Sequence, residues 1–156
     1  MMVLLSYFIL TMNLLVPEQS NVIDLDYVRT HYHQAVEKKE LCAQMIRALE
    51  SKQKENIYLG YLGGLQAIWA NHANNPVSKL RAFNQGKEQI ERAIKQDPRN
   101  PELRFIRLSI QQNAPFFLGY RSKIEEDRAW IEARKQDITS SIVKQNIEKL
   151  KKSSTE

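Results

Sequence analysis

The sequence predicts an all-α protein built from antiparallel helix pairs, with about seven helices. Three observations predict this class. Apolar residues recur at spacings of three and four through most of the chain after Asp24. Only 5 Gly and 5 Pro occur in 156 residues, and most of them fall between the helical stretches. No sustained period-two run of β-branched and aromatic residues is present, so strands are not predicted.

The chain divides into three parts by composition. Residues 1–16 carry no charge and are mainly apolar. They are shorter than the roughly 20 residues that span a bilayer and similar in length to the core of a secretory signal. We therefore expect a signal-like segment at 1–20, a single helical domain at 21–152 and a frayed tail at 153–156.

Localisation follows from that first segment. The expected protein is exported or periplasmic, or tethered to a membrane if the segment is not cleaved. A basic region before the apolar stretch and a small-residue cleavage site are both missing. Two alternatives stay open: a true start at Met12, which would give a cytoplasmic protein, and an apolar first helix that packs on the domain.

The first two helices are predicted at about 24–37 and 39–52. In the first, Leu25, Val28 and Tyr32 recur at spacings of three and four. The second has a narrow apolar stripe and a polar opposite side, which is typical of a helix on the outside of a bundle.

The third helix, predicted at about 56–71, has almost no polar side. A helix that is apolar all round is buried, and a side of small residues lets a neighbouring backbone approach closely. The alternative is a loop at Gly63-Gly64 that splits the segment into two short helices. The bulky side holds Tyr58, Tyr61, Leu62, Leu65, Ile68 and Trp69, and the small side holds Gly60, Gly63, Gly64, Ala67 and Ala70.

Prolines mark the boundaries of the later helices. Pro76 and Pro101 suit the first position of a helix, where the missing N–H is not needed. The apolar connector Pro115–Tyr120 is expected to pack against the domain. Leu80 belongs to an apolar stripe of the fourth helix that continues through Ile90. The four remaining helices are predicted at about 77–96, 101–113, 122–135 and 137–151.

Net charge is +5, and the stretch Lys79–Arg107 holds most of it, with eight basic and four acidic residues. Such an excess suits an acidic partner or weak attraction of anions, although helix surfaces of mixed charge also carry it without a partner. Nucleic acid is not the expected partner. The partner expected is a protein or peptide.

The segment Gly86, Ile90, Ala93 and Pro98 resembles the second helix of a tetratricopeptide repeat, over about one repeat. Leu103–Ile110 departs from the repeat because it lacks the small residue at mid-helix. The resemblance implies a right-handed array of helix pairs that recognises a partner through its concave side.

A broader resemblance is to a family of small, uncharacterised, exported bacterial helical proteins. It is carried by Tyr58–Gly64, Ile68–Ala70, Leu103–Leu108 and Phe117–Tyr120. This resemblance implies export and brings no activity with it.

The fifth helix holds the main candidate binding residues. Arg104, Arg107 and Gln111 lie within a sector of roughly 60° on an otherwise apolar helix. Buried guanidinium groups need partners. They would bind a carboxylate or phosphate of a ligand, together with Arg121, or they would pair internally with an acid on the preceding helix, either Glu88 or Glu91.

Two further aromatic residues are candidates because of their position. Phe116 and Phe117 lie in a connector rather than in a helix. Such residues are suited to line a groove, whereas the other aromatic side chains are expected mainly in the core.

No catalytic, metal or cofactor site is predicted. His31 and His33 are two residues apart and point about 200° away from each other on a helix, and no carboxylate joins them at metal-binding spacing. The single Cys42 has no activating partner on its own helix and is expected to be inert.

Taken together, these observations predict a non-enzymatic helical binding or scaffold protein that mediates protein–protein interaction. The alternative is a small-ligand or anion-binding carrier, or an enzyme, with a pocket near Arg104/Arg107 and Phe116 to Tyr120. The two hypotheses differ in whether the arginines are paired internally or face a cavity.

Overall fold

A computed structural model describes residues 23–153, and this part of the chain is all-helical without strands. The all-α class and the number of helices are confirmed. The signal-like segment at 1–20 and residues 154–156 of the predicted tail lie outside the described residues. Within residues 23–153 the seven helices are α1 (Leu25–His31), α2 (Lys39–Glu50), α3 (Asn56–His72), α4 (Pro76–Gln96), α5 (Pro101–Asn113), α6 (Ile124–Ala133) and α7 (Ser141–Ser153).

The first and seventh predicted helices differ most from the structure at their ends, and the second and sixth differ by about two residues. The first ends at His31 and continues as a 3-10 turn over Tyr32–Val36. The seventh begins at Ser141 rather than 137, because Ile138 is extended and buries its side chain in the core from the connection before the helix. The free energy gained by burying this one side chain therefore exceeds what additional residues at the start of α7 would contribute.

Helix α3 is the centre of the fold and packs on α2, α4 and α5. All seven residues of 59–65 are buried, as predicted from the apolar pattern. The helix is continuous through Gly63-Gly64, so the loop alternative is wrong. A Cβ added to Gly63 would lie 2.7 Å from the carbonyl oxygen of Gly86, which shows that the backbones of α3 and α4 touch at these glycines.

Short capped connections join α3, α4 and α5. The Asn75 side chain accepts a hydrogen bond from the backbone N–H of Ser78, at 2.9 Å, and Pro76 occupies the first turn of α4. Asn100 likewise accepts from the backbone N–H of Glu102, at 3.0 Å, at the start of α5. These caps satisfy N–H groups that a helix start leaves without partners.

One buried ion pair ties the first helix to the core. The Arg29 guanidinium donates to both carboxylate oxygens of Glu102, at 2.7 Å each, and the Tyr61 hydroxyl donates to the same carboxylate at 2.7 Å. Burial, together with the charge of Glu102, raises the pKa of Tyr61 well above its ordinary value. The three groups join α1, α3 and α5 and leave little of the Glu102 charge unpaired.

Candidate functional site

The predicted arginines lie in a buried charged cluster between α5 and α6. Arg107 donates to both oxygens of Asp127, at 2.7 and 2.6 Å, and Asp127 is fully buried. A third nitrogen of Arg107 donates to Glu91 of α4 at 3.0 Å. Burial acts to lower the pKa of Arg107, but the hydrogen bonds and charge of Asp127, with the charge of Glu91, raise it above its ordinary value.

The neighbours of Arg107 complete this cluster. Gln111 donates to Asp127 at 3.0 Å and accepts from the backbone N–H of Lys123 at 3.1 Å. The Tyr120 hydroxyl donates to Glu91 at 2.8 Å. Each of these side chains has a protein partner. The cluster therefore holds together α4, α5, α6 and the connector before α6 through hydrogen bonds.

Arg104 lies at the edge of the same cluster. Its guanidinium donates to Glu126 at 3.0 Å and to Asp127 at 3.2 Å, and it lies 5.3 Å from the centre of the Trp130 ring. Of the two acids named for internal pairing, Glu91 is the one that bonds to an arginine of this helix. Asp127, the carboxylate that both arginines share, lies on α6, the helix that follows.

Arg121 is placed elsewhere. It lines a smaller polar depression of about 420 Å³, together with Gln112, Ser122 and Glu125. The structure therefore does not bring Arg121 together with Arg104 and Arg107 in one cavity.

On the other side of α5 lies an open apolar groove of about 850 Å³. Its lining comes from the turn after α1, the end of α3, the start of α4, one side of α5 from Phe105 onward, the connector before α6 and the end of α7. Neither Arg104 nor Arg107 is part of this lining. Apolar residues of the lining include Val36, Ala67, Ile68, Leu80, Phe83, Phe105, Ile110, Ala114, Phe117, Leu118 and Leu150.

Several large apolar side chains of the groove are left uncovered. Val36 is 45%, Leu80 48% and Phe117 84% exposed, and all three belong to the lining. Phe116 is also 84% exposed but is not part of the lining. Of the two phenylalanines predicted for a groove, Phe117 is therefore placed in one and Phe116 beside it.

The basic side chains of the lining are Lys79, Lys149 and His33, and no Asp or Glu of residues 23–153 joins them. Partial burial lowers the pKa of His33, and the charge of Lys149 lowers it further. The groove is thus an apolar surface with cationic groups at its margin.

The remaining candidate groups are Cys42 and the possible metal ligands. Cys42 is buried, and burial raises the pKa of its thiol to about 12. Within residues 23–153, no group of three His, Cys, Asp or Glu is arranged to hold a metal ion. In that same part of the chain, no helix combines the length and apolar character needed to cross a membrane.

Sequence reasoning missed most of the groove because its lining comes from six separate segments. One signal was present: the apolar stripe of α4 runs on to Leu80, and the structure shows that nothing among the described residues covers this end.

Comparison of the chain with protein families, with curated proteins and with solved structures found no match.

Proposed function

We propose that the protein is a non-enzymatic binding protein whose groove receives an apolar segment of a partner protein. One observation carries this proposal: among residues 23–153 an apolar groove of about 850 Å³ stays open, while the arginines on the opposite side of α5 are paired within the protein. Exposed apolar surface in one continuous patch is typical of an interaction site.

The openness of the groove favours a protein segment over a small molecule. A small ligand is usually enclosed over 70–90% of its surface. Phe117 and Leu80 stand at the mouth and are 84% and 48% exposed, so an occupant confined to the floor would leave them in water. A wider occupant, such as one face of a helix, would cover both the floor and these two side chains.

The dimensions of the groove suit a short helix. Along α5 the lining runs from Phe105 to Asn113, which corresponds to about 12 Å at about 1.5 Å per residue. This is a little over two turns. A partner helix of that length presents three apolar side chains at i, i+4 and i+7 on one face.

The test compares two phenylalanines that are equally exposed. A labelled amphipathic helical peptide with leucines at i, i+4 and i+7 is titrated with the wild-type chain, with Phe117→Asp and with Phe116→Asp. We expect Phe117→Asp to weaken binding at least tenfold, because it places a charge against the apolar face, and Phe116→Asp to change it little. An equal loss of peptide affinity in both variants would contradict binding at the groove.

A second candidate function is transport of a small apolar ligand. The volume of the groove favours it, since about 850 Å³ lies within the usual range for small-molecule sites. Titration with a long-chain fatty acid separates the two functions. Saturable, one-to-one fatty-acid binding together with no peptide binding would replace the first proposal by this one.

Two finer features of the prediction belong to the same proposal. We propose antiparallel helix pairs, which the short connections at 73–75 and 97–100 support, in a right-handed array, which rests on the tetratricopeptide-like spacing of Gly86, Ile90, Ala93 and Pro98. We also propose export, which the apolar stretch at 1–16 supports. Mass spectrometry of the mature amino terminus from native cells tests export, and an intact Met1 would contradict a cleaved signal.

A further inference from the structure

We infer that the partner helix carries carboxylates along the edges of its apolar face, so that they meet Lys79 and Lys149 when the helix occupies the groove. This inference rests on the proposed function and adds the charge of the partner. It starts from the lining, in which every charged side chain is basic or a histidine.

The two lysines stand on different helices that both contribute to the groove. Lys79 lies in the first turn of α4, and Lys149 lies in the second half of α7. Both are exposed, and within the described part of the chain neither has an ion-pair partner. By contrast, Lys123, Lys135 and Lys151 each pair with a nearby glutamate.

The electrostatic effect of Lys149 reaches into the groove. Lys149 and His33 both belong to the lining, and the charge of Lys149 helps to lower the pKa of His33. A basic partner helix would be repelled by Lys79 and Lys149, and a carboxylate would be attracted to them. Charge complementarity therefore selects an acidic amphipathic helix over a basic one.

The size of the effect follows from the exposure of the lysines. An exposed ion pair changes an affinity by about two- to fivefold, so two pairs change it by roughly tenfold. Such pairs are screened by salt. The preference for an acidic peptide is thus expected to shrink at high salt, while binding through the apolar face persists.

The experiment uses three peptides with the same leucine face and with glutamate, glutamine or lysine at the flanking positions. Each is titrated with the full chain at low and at high salt. We expect the glutamate peptide to bind roughly tenfold more tightly than the glutamine peptide, and the lysine peptide to bind more weakly than both.

Four variants locate the effect. Lys79→Glu and Lys149→Glu are each expected to weaken binding of the glutamate peptide and to strengthen binding of the lysine peptide. Lys95→Glu on α4 and Lys144→Glu on α7 make the same change in charge on the same helices, outside the lining. These two controls are expected to leave the order of the peptides unchanged, and circular dichroism checks that all four variants fold.

The outcomes separate this inference from the proposed function. Equal binding of all three peptides would overturn the acidic partner and leave the groove function in place. Equal changes of peptide affinity in the lining variants and in the controls would also overturn the acidic partner, because they would show a general effect of net charge. Failure of all three peptides to bind would contradict the proposed function itself.

Discussion

The two sides of α5 differ in how completely the fold covers them. On one side, Arg107 and Gln111 bond to Asp127, a carboxylate with no exposed surface. On the other side, Phe105 and Ile110 form part of the lining of a groove that remains open. One side of α5 is thus buried in hydrogen bonds with another helix, and the other side lines an exposed groove.

The difference teaches where to look for function in this protein. A buried guanidinium without a partner costs much free energy, so the chain supplies the partner itself. Exposed apolar side chains cost far less, and the fold can leave them for a second molecule to cover. Buried charged residues therefore indicate architecture here, and the exposed apolar surface is where we propose binding.

The largest expected effect comes from removing the shared carboxylate. Asp127→Ala leaves Arg107 and Arg104 buried with fewer partners, and we expect the free energy of unfolding to fall by about 3–5 kcal/mol. Chemical denaturation measures this loss. The control is Glu125→Ala on the same helix, whose carboxylate is exposed. A loss of equal size in the control would contradict the structural role of Asp127.

The next effect concerns the glycines of α3. In Gly63→Ala the new Cβ would meet backbone atoms of Gly86 and Ile90, whereas in Gly60→Ala it would meet chiefly the end of the Leu103 side chain. Overpacking against backbone outweighs the gain in helix propensity, so we expect Gly63→Ala to lose about 1–2 kcal/mol of stability. Gly60→Ala is expected to lose less, because a side chain can shift. The reverse order in thermal denaturation would contradict the close backbone contact.

A smaller effect is expected at the mouth of the groove. Leu80→Lys should change the free energy of unfolding by no more than about 0.5 kcal/mol, because Leu80 is already half exposed. Phe83→Ala, one turn further along α4 and buried, should cost about 3–5 kcal/mol. Similar losses in both variants would show that Leu80 belongs to the core.

The smallest effect is expected for an exposed ion cluster. Hydrogen bonds from Lys135 and Lys151 lower the pKa of Glu132 to about 2. Because this pKa lies below the ordinary value of 4.5, any stabilisation is present above about pH 4.5 and is lost as the pH falls toward 2. The carboxylate is exposed, so salt screens the effect. The melting temperature of Glu132→Gln at neutral pH in physiological salt should match that of the wild type. A loss of stability comparable to that of Asp127→Ala would contradict this prediction.

Much of the fold was predictable because its signals are local. Pro76 and Pro101 indicated two helix starts, and the apolar pattern of 59–65 indicated a buried helix. The ends of α1 and α7 were not predictable in this way. They depend on where single side chains such as Ile138 are buried, which is a property of the assembled core.

The candidate site was less predictable because it depends on distant parts of the chain. The spacing of Arg104, Arg107 and Gln111 correctly placed them on one side of α5, but their partner Asp127 lies on another helix, and its position is set by packing. The groove combines the turn after α1 with the ends of α3 and α7. No local pattern relates these segments.

The most direct test of the central claim is a methyl NMR titration of the full chain with the acidic helical peptide. Binding at the groove predicts saturable shifts of the Ile110 and Leu150 methyl signals, while the Ile131 signal on α6 stays in place. Shifts of Ile131 with unmoved groove signals would contradict the account, because they would place recognition at the charged side of α5.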